Sequence, residues 1–179
     1  MTLTHRWARH DDVPALRALM FAAIERLQSD VLDPDQVRAS HAVMGLDTQL
    51  IEDGSYVIVE ADGLIAGCGG WSRRTTLYGG DHSPGRDAAL LDPATDAARI
   101  RAMYTHPDFT RRGVGRRVLD LCESAAADHG FARVELMATL AGERLYSACG
   151  YVPIEHVQSP PIDGVRVPLI RMGKPLVRG

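Results

Sequence analysis

The stretch Met103-Tyr104-Thr105-His106-Pro107-Asp108-Phe109-Thr110-Arg111-Arg112-Gly113-Val114-Gly115-Arg116 decides how this chain is read. Ile100 to Thr105 reads as a strand, and His106-Pro107-Asp108 ends it, because proline has no N–H to give to a ladder. Beyond Arg117, the residues Val118, Leu121, Cys122, Ala125 and Ala126 recur at helical spacing until Gly130 stops them. The order is strand, glycine turn, helix. Glycines at 113 and 115 let the backbone approach a ligand closely, with the free N–H groups of the first helical turn facing it. Between Arg99 and Arg117 six arginines face one acid, Asp108, in a chain whose net charge is −3. Such a turn suits a phosphate-bearing anion. Taken on the glycines alone, a glycine-eased helix start with solvated arginines is the competing reading.

Two familiar phosphate loops are excluded by the letters. Of the 20 basic residues only Lys174 is a lysine, which removes a Walker loop and an interior Schiff-base lysine. The third glycine of a dinucleotide fingerprint would fall on Val118, so a Rossmann site is not expected. Cys68, Cys122 and Cys149 show no CxxC spacing, which argues for reduced thiols and against a zinc site or a disulfide framework; no metal is expected. With 179 residues the chain has room for one domain, expected to span 1–179. Hydrophobic residues at 45% and charged residues at 24% are ordinary for a globular protein. The mild acidity gives no pull towards nucleic acid or an anionic membrane. There is no signal-peptide core at MTLTHRWARHDD and no long apolar run, so a soluble, cytoplasmic protein is expected.

Working outward, Leu3 to Arg9 reads as a short strand ending at Asp11-Asp12. Val13, Leu16, Leu19, Met20, Ala23, Ile24 and Leu27 form the apolar stripe of a helix. A second helix starts at Asp33-Pro34 and fades near Gly45, with short helical structure as far as Glu52. Tyr56 to Glu60 and Leu64 to Cys68 are two strands joined by Ala61-Asp62-Gly63, where Asp-Gly supplies the positive φ of a tight hairpin. Thr75 to Ala98 is rich in turn residues and too long for an ordinary connection, hence functional or mobile. Val134 to Thr139 is a strand, Gly142 to Cys149 a short helix ended by Gly150, and Tyr151 to Ile154 another strand. A proline-rich turn leads to a final strand from Val165 to Met172.

The run from Met103 to Arg116 resembles the cofactor-binding motif of the GCN5-related N-acetyltransferase (GNAT) superfamily. Leu145-Tyr146-Ser147-Ala148-Cys149-Gly150-Tyr151 is similar to the family's later motif, a helix ending in an aromatic beside a Gly-aromatic pair. The order of elements follows the family along nearly the whole chain. Two positions depart from its pattern: Thr110 stands where Gln or Arg is usual, and Leu140 where an asparagine is often found. The resemblance implies an α+β fold, with a mixed, mostly antiparallel sheet flanked by helices.

It further implies an acetyl-CoA-dependent N-acetyltransferase that moves the acetyl group directly to a primary amine on a small molecule or peptide, without metal. Met103, Tyr104, Thr105, Arg111, Arg112, Gly113, Val114, Gly115 and Arg116 are then the cofactor-binding residues, with a bulged fourth strand giving a backbone N–H near 103–105 to the thioester oxygen. Tyr146 matches the family's general acid. Glu135, on the fifth strand, stands where some relatives place a base, or is a surface carboxylate. Trp71, Tyr78 and His82 are candidates for an acceptor site. A homodimer accords with the resemblance. A catalytically silent acyl-CoA sensor, or transfer of a different acyl group, are the alternative functions.

Overall fold

Local chemistry sets the first elements of the computed structural model, which describes residues 1–177. Strand β1 (Leu3–Trp7) is followed by helix α1 (Val13–Leu27), whose Leu16, Leu19, Met20, Ala23 and Ile24 are buried as their spacing requires. Helix α2 (Pro34–Val43) starts with a capping box: the Asp33 carboxylate accepts the Gln36 N–H at 2.8 Å, and the Gln36 side chain accepts the Asp33 N–H at 3.2 Å. After the single turn α3 (Gln49–Glu52), strands β2 (Tyr56–Ala61) and β3 (Leu64–Ser72) form the expected hairpin. Asp62 and Gly63 both take positive φ, 51° and 82°.

Strand β4 (Ala98–Thr105) leads through the glycine turn to α4 (Val114–Asp128), then β5 (Arg133–Thr139), α5 (Glu143–Ala148), β6 (Val152–Gln158) and β7 (Pro168–Pro175). The seven strands make one sheet in the order β1-β2-β3-β4-β5-β7-β6. Every pairing is antiparallel except β4 with β5. An α+β fold with a mostly antiparallel sheet flanked by helices is therefore what forms. No described helix is long and apolar enough to cross a membrane.

Alternation along the strands divides the core between the two faces. Val57, Val59, Val134, Leu136 and Ala138 pack against Val114, Val118, Leu119, Cys122 and Ala126 of α4. On the opposite face Tyr56, Ile58 and Cys68 meet Leu16, Leu19 and Met20 of α1, while Val167 and Leu169 meet Ile24, Val37 and Val43. Each Val, Leu, Ile or Met side chain buried in this way stabilises the fold by roughly 1.5–3 kcal/mol.

Helix α4 can lie this close to the sheet because β3 lacks side chains where the helix starts. A Cβ at Gly67 would stand 2.5 Å from Val114 Cγ1, and one at Gly69 would stand 2.7 Å from Val118 Cγ1 and 2.6 Å from Met103 Cγ. Gly69→Val is therefore expected to push α4 off the sheet and to cost about 1–3 kcal/mol, the range for overpacking a filled interior. Urea denaturation measures it; a variant as stable as wild type would mean that the helix is not held by this contact.

Candidate active site

The parallel pairing of β4 and β5 is short. It consists of Ala98 with Val134 and Arg99 with Glu135, after which the strands separate. Ile100–Thr105 on one side and Leu136, Met137 and Thr139 on the other line a cavity of about 740 Å³. Unpaired on its β5 side, this part of β4 turns backbone polar groups toward the cavity. A bulge accompanies the opening: the β3–β4 register shifts between Cys68/Tyr104 and Gly70/Arg101, and Ala102 takes a φ of 48°. The buried Tyr56 hydroxyl donates to Ala102 O at 2.6 Å and lies 3.3 Å from Cys68 Sγ. Burial pushes the Cys68 thiol up to about 12, so it remains a neutral packing group.

The glycine turn closes one end of the cavity. Arg111 and Gly113 take left-handed φ values of 61° and 81°, and Gly113 is the N-cap of α4. Arg117 N–H bonds Gly113 O at 3.0 Å, which leaves the N–H groups of Val114, Gly115 and Arg116 as the helix's unpaired first-turn donors. Such a sequence of donors in left-handed and helical backbone makes an anion nest. The two glycines serve different needs. Gly113 supplies the positive φ and has open space beside it, whereas a Cβ at Gly115 would stand 2.6 Å from Leu145 Cδ2 of α5. The absent side chain of Gly115 thus brings α5 close to α4. Thr110, which departs from the motif, donates from Oγ1 to Pro107 O at 3.2 Å and closes the preceding turn.

Of the residues expected to hold the cofactor, Met103, Tyr104, Thr105, Arg111, Gly113, Val114, Gly115 and Arg116 line the cavity, joined by Arg144. Arg112 does not; its guanidinium lies 5.7 Å from the Phe109 ring centroid. Tyr146 lines the cavity from α5, half-buried, with its ring edge-on to Tyr151. No described group pairs with its hydroxyl, and burial raises its pKa above the ordinary tyrosine value, so it holds its proton at neutral pH. Tyr104 is also raised by burial, but its hydroxyl meets the backbone N–H of Gly45.

Glu135 is not brought to the cavity. Its side chain is buried on β5, and Oε2 accepts from Arg99 Nη1 at 3.1 Å and from Arg171 Nε and Nη2 at 3.0 and 2.7 Å. Nor is Trp71 an acceptor-site residue: it sits in the core beside His129 and Phe131. His82 bonds Ala42 O at 2.9 Å and stands outside the cavity, whereas Tyr78 lines it. The long connection is held rather than loose. Thr75 N–H bonds Ala89 O, Leu91 N–H bonds Arg73 O, Arg74 pairs with Asp53, and Arg86 with Asp47. Buried Arg101, one residue before the bulge, bonds Asp47 at 3.1 Å and Gly79 O at 2.9 Å, drawing Leu77–Gly79 into the cavity wall. No cluster of three or more metal-ligating side chains occurs among the described residues.

The model of the acetyltransferase (GNAT) family matches residues 18–151. The chain belongs to the GNAT acetyltransferase family. It is thereby a transferase of the acyltransferase class. Solved structures similar to this acetyltransferase include a GCN5-related N-acetyltransferase from Rhodopseudomonas palustris, 22% identical with a TM-score of 0.71, the match covering 98% of this chain and 97% of that one. PaiA N-acetyltransferase from Thermoplasma acidophilum, in complex with coenzyme A, is 12% identical with a TM-score of 0.65 over 98% and 99% of the two chains. YncA from Salmonella typhimurium, with its cofactor acetyl-CoA, is 17% identical with a TM-score of 0.64 over 100% and 96%. At these identities the likeness is one of fold. No curated protein matches this acetyltransferase by sequence.

The ion-pair setting of Glu135 gives an expected outcome for Glu135→Gln. Neutralising the carboxylate between two guanidiniums is expected to lower folding stability by about 1–3 kcal/mol. The shape of the pH–rate profile is expected to stay as in wild type. Denaturation and rates across pH test both; a stable variant with an altered profile would return Glu135 to the role of base.

Proposed function

We propose that this acetyltransferase transfers an acetyl group from acetyl-CoA directly to a primary amine on a small molecule or peptide, as one catalytic domain spanning 1–179. The observation that carries this reading is the separation of β4 and β5 after Arg99, which opens beside the nest at Arg111–Arg116. The residues present fit the cosubstrate. A diphosphate needs several donors converging without side-chain obstruction, and the first-turn N–H groups of α4 supply them beside Arg111, Arg116 and Arg144. The coenzyme A and acetyl-CoA held by the structurally similar proteins support the same assignment.

Within the cavity each residue has a physical task. The unpaired edge of Met103–Thr105 presents backbone donors to an oxygen that gains negative charge as the amine attacks. Bound acetyl-CoA supplies an electrophilic thioester. As the new C–N bond forms and the C–S bond breaks, the Tyr146 hydroxyl donates its proton to the departing sulfur, and the proton shed by the acylated nitrogen restores that hydroxyl. The incoming amine must be neutral: for a lysine-like pKa near 10.4, deprotonation at pH 7 costs about 4.6 kcal/mol. Among the described residues the one carboxylate lining the cavity is the exposed Asp30, so the proton passes to solvent.

Tyr146→Phe separates acid catalysis from packing, because it removes only the hydroxyl. A thiol with pKa near 8.5 leaves readily unaided, so kcat is expected to fall by about 10-fold to 100-fold, the lower part of the general-acid range. Acetyl-CoA at 100 times its Kd is expected to stabilise wild type and variant alike, by about 2.7 kcal/mol. Thiol release and thermal shift read the two effects. Wild-type kcat in the variant would reduce Tyr146 to a packing residue, and a wild-type protein that acetyl-CoA does not stabilise would refute the proposed function.

A further inference from the structure

The only lysine of the chain closes a polar cluster behind the helix that carries Tyr146. From β7, Lys174 Nζ donates to Glu123 Oε2 of α4 at 2.8 Å and to Cys149 O at 2.9 Å. The other oxygen of the Glu123 carboxylate accepts from the Tyr151 hydroxyl at 2.9 Å, and burial together with that carboxylate keeps the phenol protonated. Lys174 Nζ also lies 5.4 Å from the centroid of the Tyr151 ring. The cluster is largely shielded from water: 21% of the Lys174 side chain and 15% of that of Glu123 are exposed, and Tyr151 is buried. Charge-assisted bonds are strong in such surroundings. Two of the contacts reach the segment of Tyr146 itself. Cys149 is the C-cap of α5, where carbonyls have no partner within the helix and a lysine can supply one. The Tyr151 ring meets that of Tyr146 edge-on at 5.9 Å, and the Tyr151 N–H bonds Tyr146 O at 3.0 Å.

Helix α5 needs such a hold. Its six residues are too few for a helix to persist by itself, and none of them is fully buried. Leu145 and Tyr146 pack only in part against the core beneath α4. The Tyr146 hydroxyl pairs with no group among the described residues, so its direction follows from the backbone of α5 and the face of Tyr151. We infer that Lys174 and Glu123 are positioning residues for Tyr146. Joined across β7 and α4, they hold the end of α5 and the ring of Tyr151 so that the Tyr146 hydroxyl meets the cofactor sulfur. The inference rests on the acid role proposed for Tyr146 above. The cluster stands apart from the nest, since Glu123 follows Arg116 by about 10 Å along the axis of α4. Loss of Lys174 is therefore expected to disturb the acid and to spare cofactor binding.

The test follows the ring signals of the full chain made with tyrosine isotope-labelled at Cζ, with Tyr146 assigned through Tyr146→Phe and coenzyme A as the added probe. In wild type the Tyr146 signal is expected to shift as coenzyme A saturates the protein, because the thiol reaches the hydroxyl. In Lys174→Met the signal of the free protein is expected to move or broaden, and its response to coenzyme A to fall to about half or less, as the ring samples other positions. The Tyr56 signal, from the core on the opposite face of the sheet, is expected to keep its place in the variant. The Kd for coenzyme A is expected to remain within about twofold of wild type, as for distant sites that act independently. A lysine that adds stability alone would lower the melting temperature and leave Tyr146 at its wild-type signal with its full response, and that result overturns the inference. So does a Kd that rises in step with the loss of the Tyr146 response, which would make the cluster a support of the cofactor site. Should the unpaired Glu123 carboxylate unfold Lys174→Met, the double variant with Glu123→Gln, which lacks that charge and still lacks the bond to Cys149 O, is read in the same way. A wild-type Tyr146 signal that bound coenzyme A does not move fails the acid reading itself, whatever Lys174 does.

Discussion

The parting of β4 from β5 after two paired residues is the constraint on which the rest of this structure depends. A continuous parallel pair would satisfy every backbone group along β4 and leave no opening in the sheet. The positive φ of Ala102 and the register shift opposite Cys68 break that continuity, and the Tyr56 hydroxyl fixes the break by taking Ala102 O as its acceptor. A non-glycine residue in left-handed backbone is costly and persists only where its surroundings determine it. Here Tyr56 is buried in the core between α1 and the sheet, so the bulge is tied to that core.

The nest depends on the same geometry, because its position is set by how closely α4 approaches the sheet. Gly67 and Gly69 remove side chains beneath the start of the helix, and Gly115 removes one beside α5. Three missing side chains thus bring the first-turn donors of α4, the bulged edge of β4 and Tyr146 around one cavity. Arg101 adds the fourth wall by bonding the long connection at Gly79 O while Asp47 balances its charge. The run of unpaired backbone donors at one end and the apolar wall at the other are consequences of one opening in one sheet.

Much of this was legible in the sequence where the signal is local. Periodicity in α1, the Asp33-Pro34-Asp35-Gln36 cap, the Asp62-Gly63 turn and the glycine turn before α4 each report on residues a few positions apart. The contacts that complete the site span the chain. Tyr56 and Ala102 are 46 residues apart and Arg101 and Asp47 are 54, distances at which no periodicity carries information. Glu135 illustrates the same limit: its place on β5 was readable, but the two arginines that occupy it come from β4 and β7. Gly67 and Gly69 did carry a signal, since glycine inside a strand marks close approach of another element. Strand β6 runs on to Gln158, past the expected Ile154, because it is an edge strand exposed on both faces and so has no apolar alternation to read.

Amide chemical shifts of the isotope-labelled protein, followed as coenzyme A is added, test most directly whether the opening between β4 and β5 is the cofactor's seat. The expected result is that the largest changes fall on Val114, Gly115 and Arg116, where first-turn donors are unpaired, and on Met103, Tyr104 and Thr105, where β4 has lost its partner. Saturable changes that leave both segments unmoved and gather elsewhere on the sheet would contradict the account at its foundation.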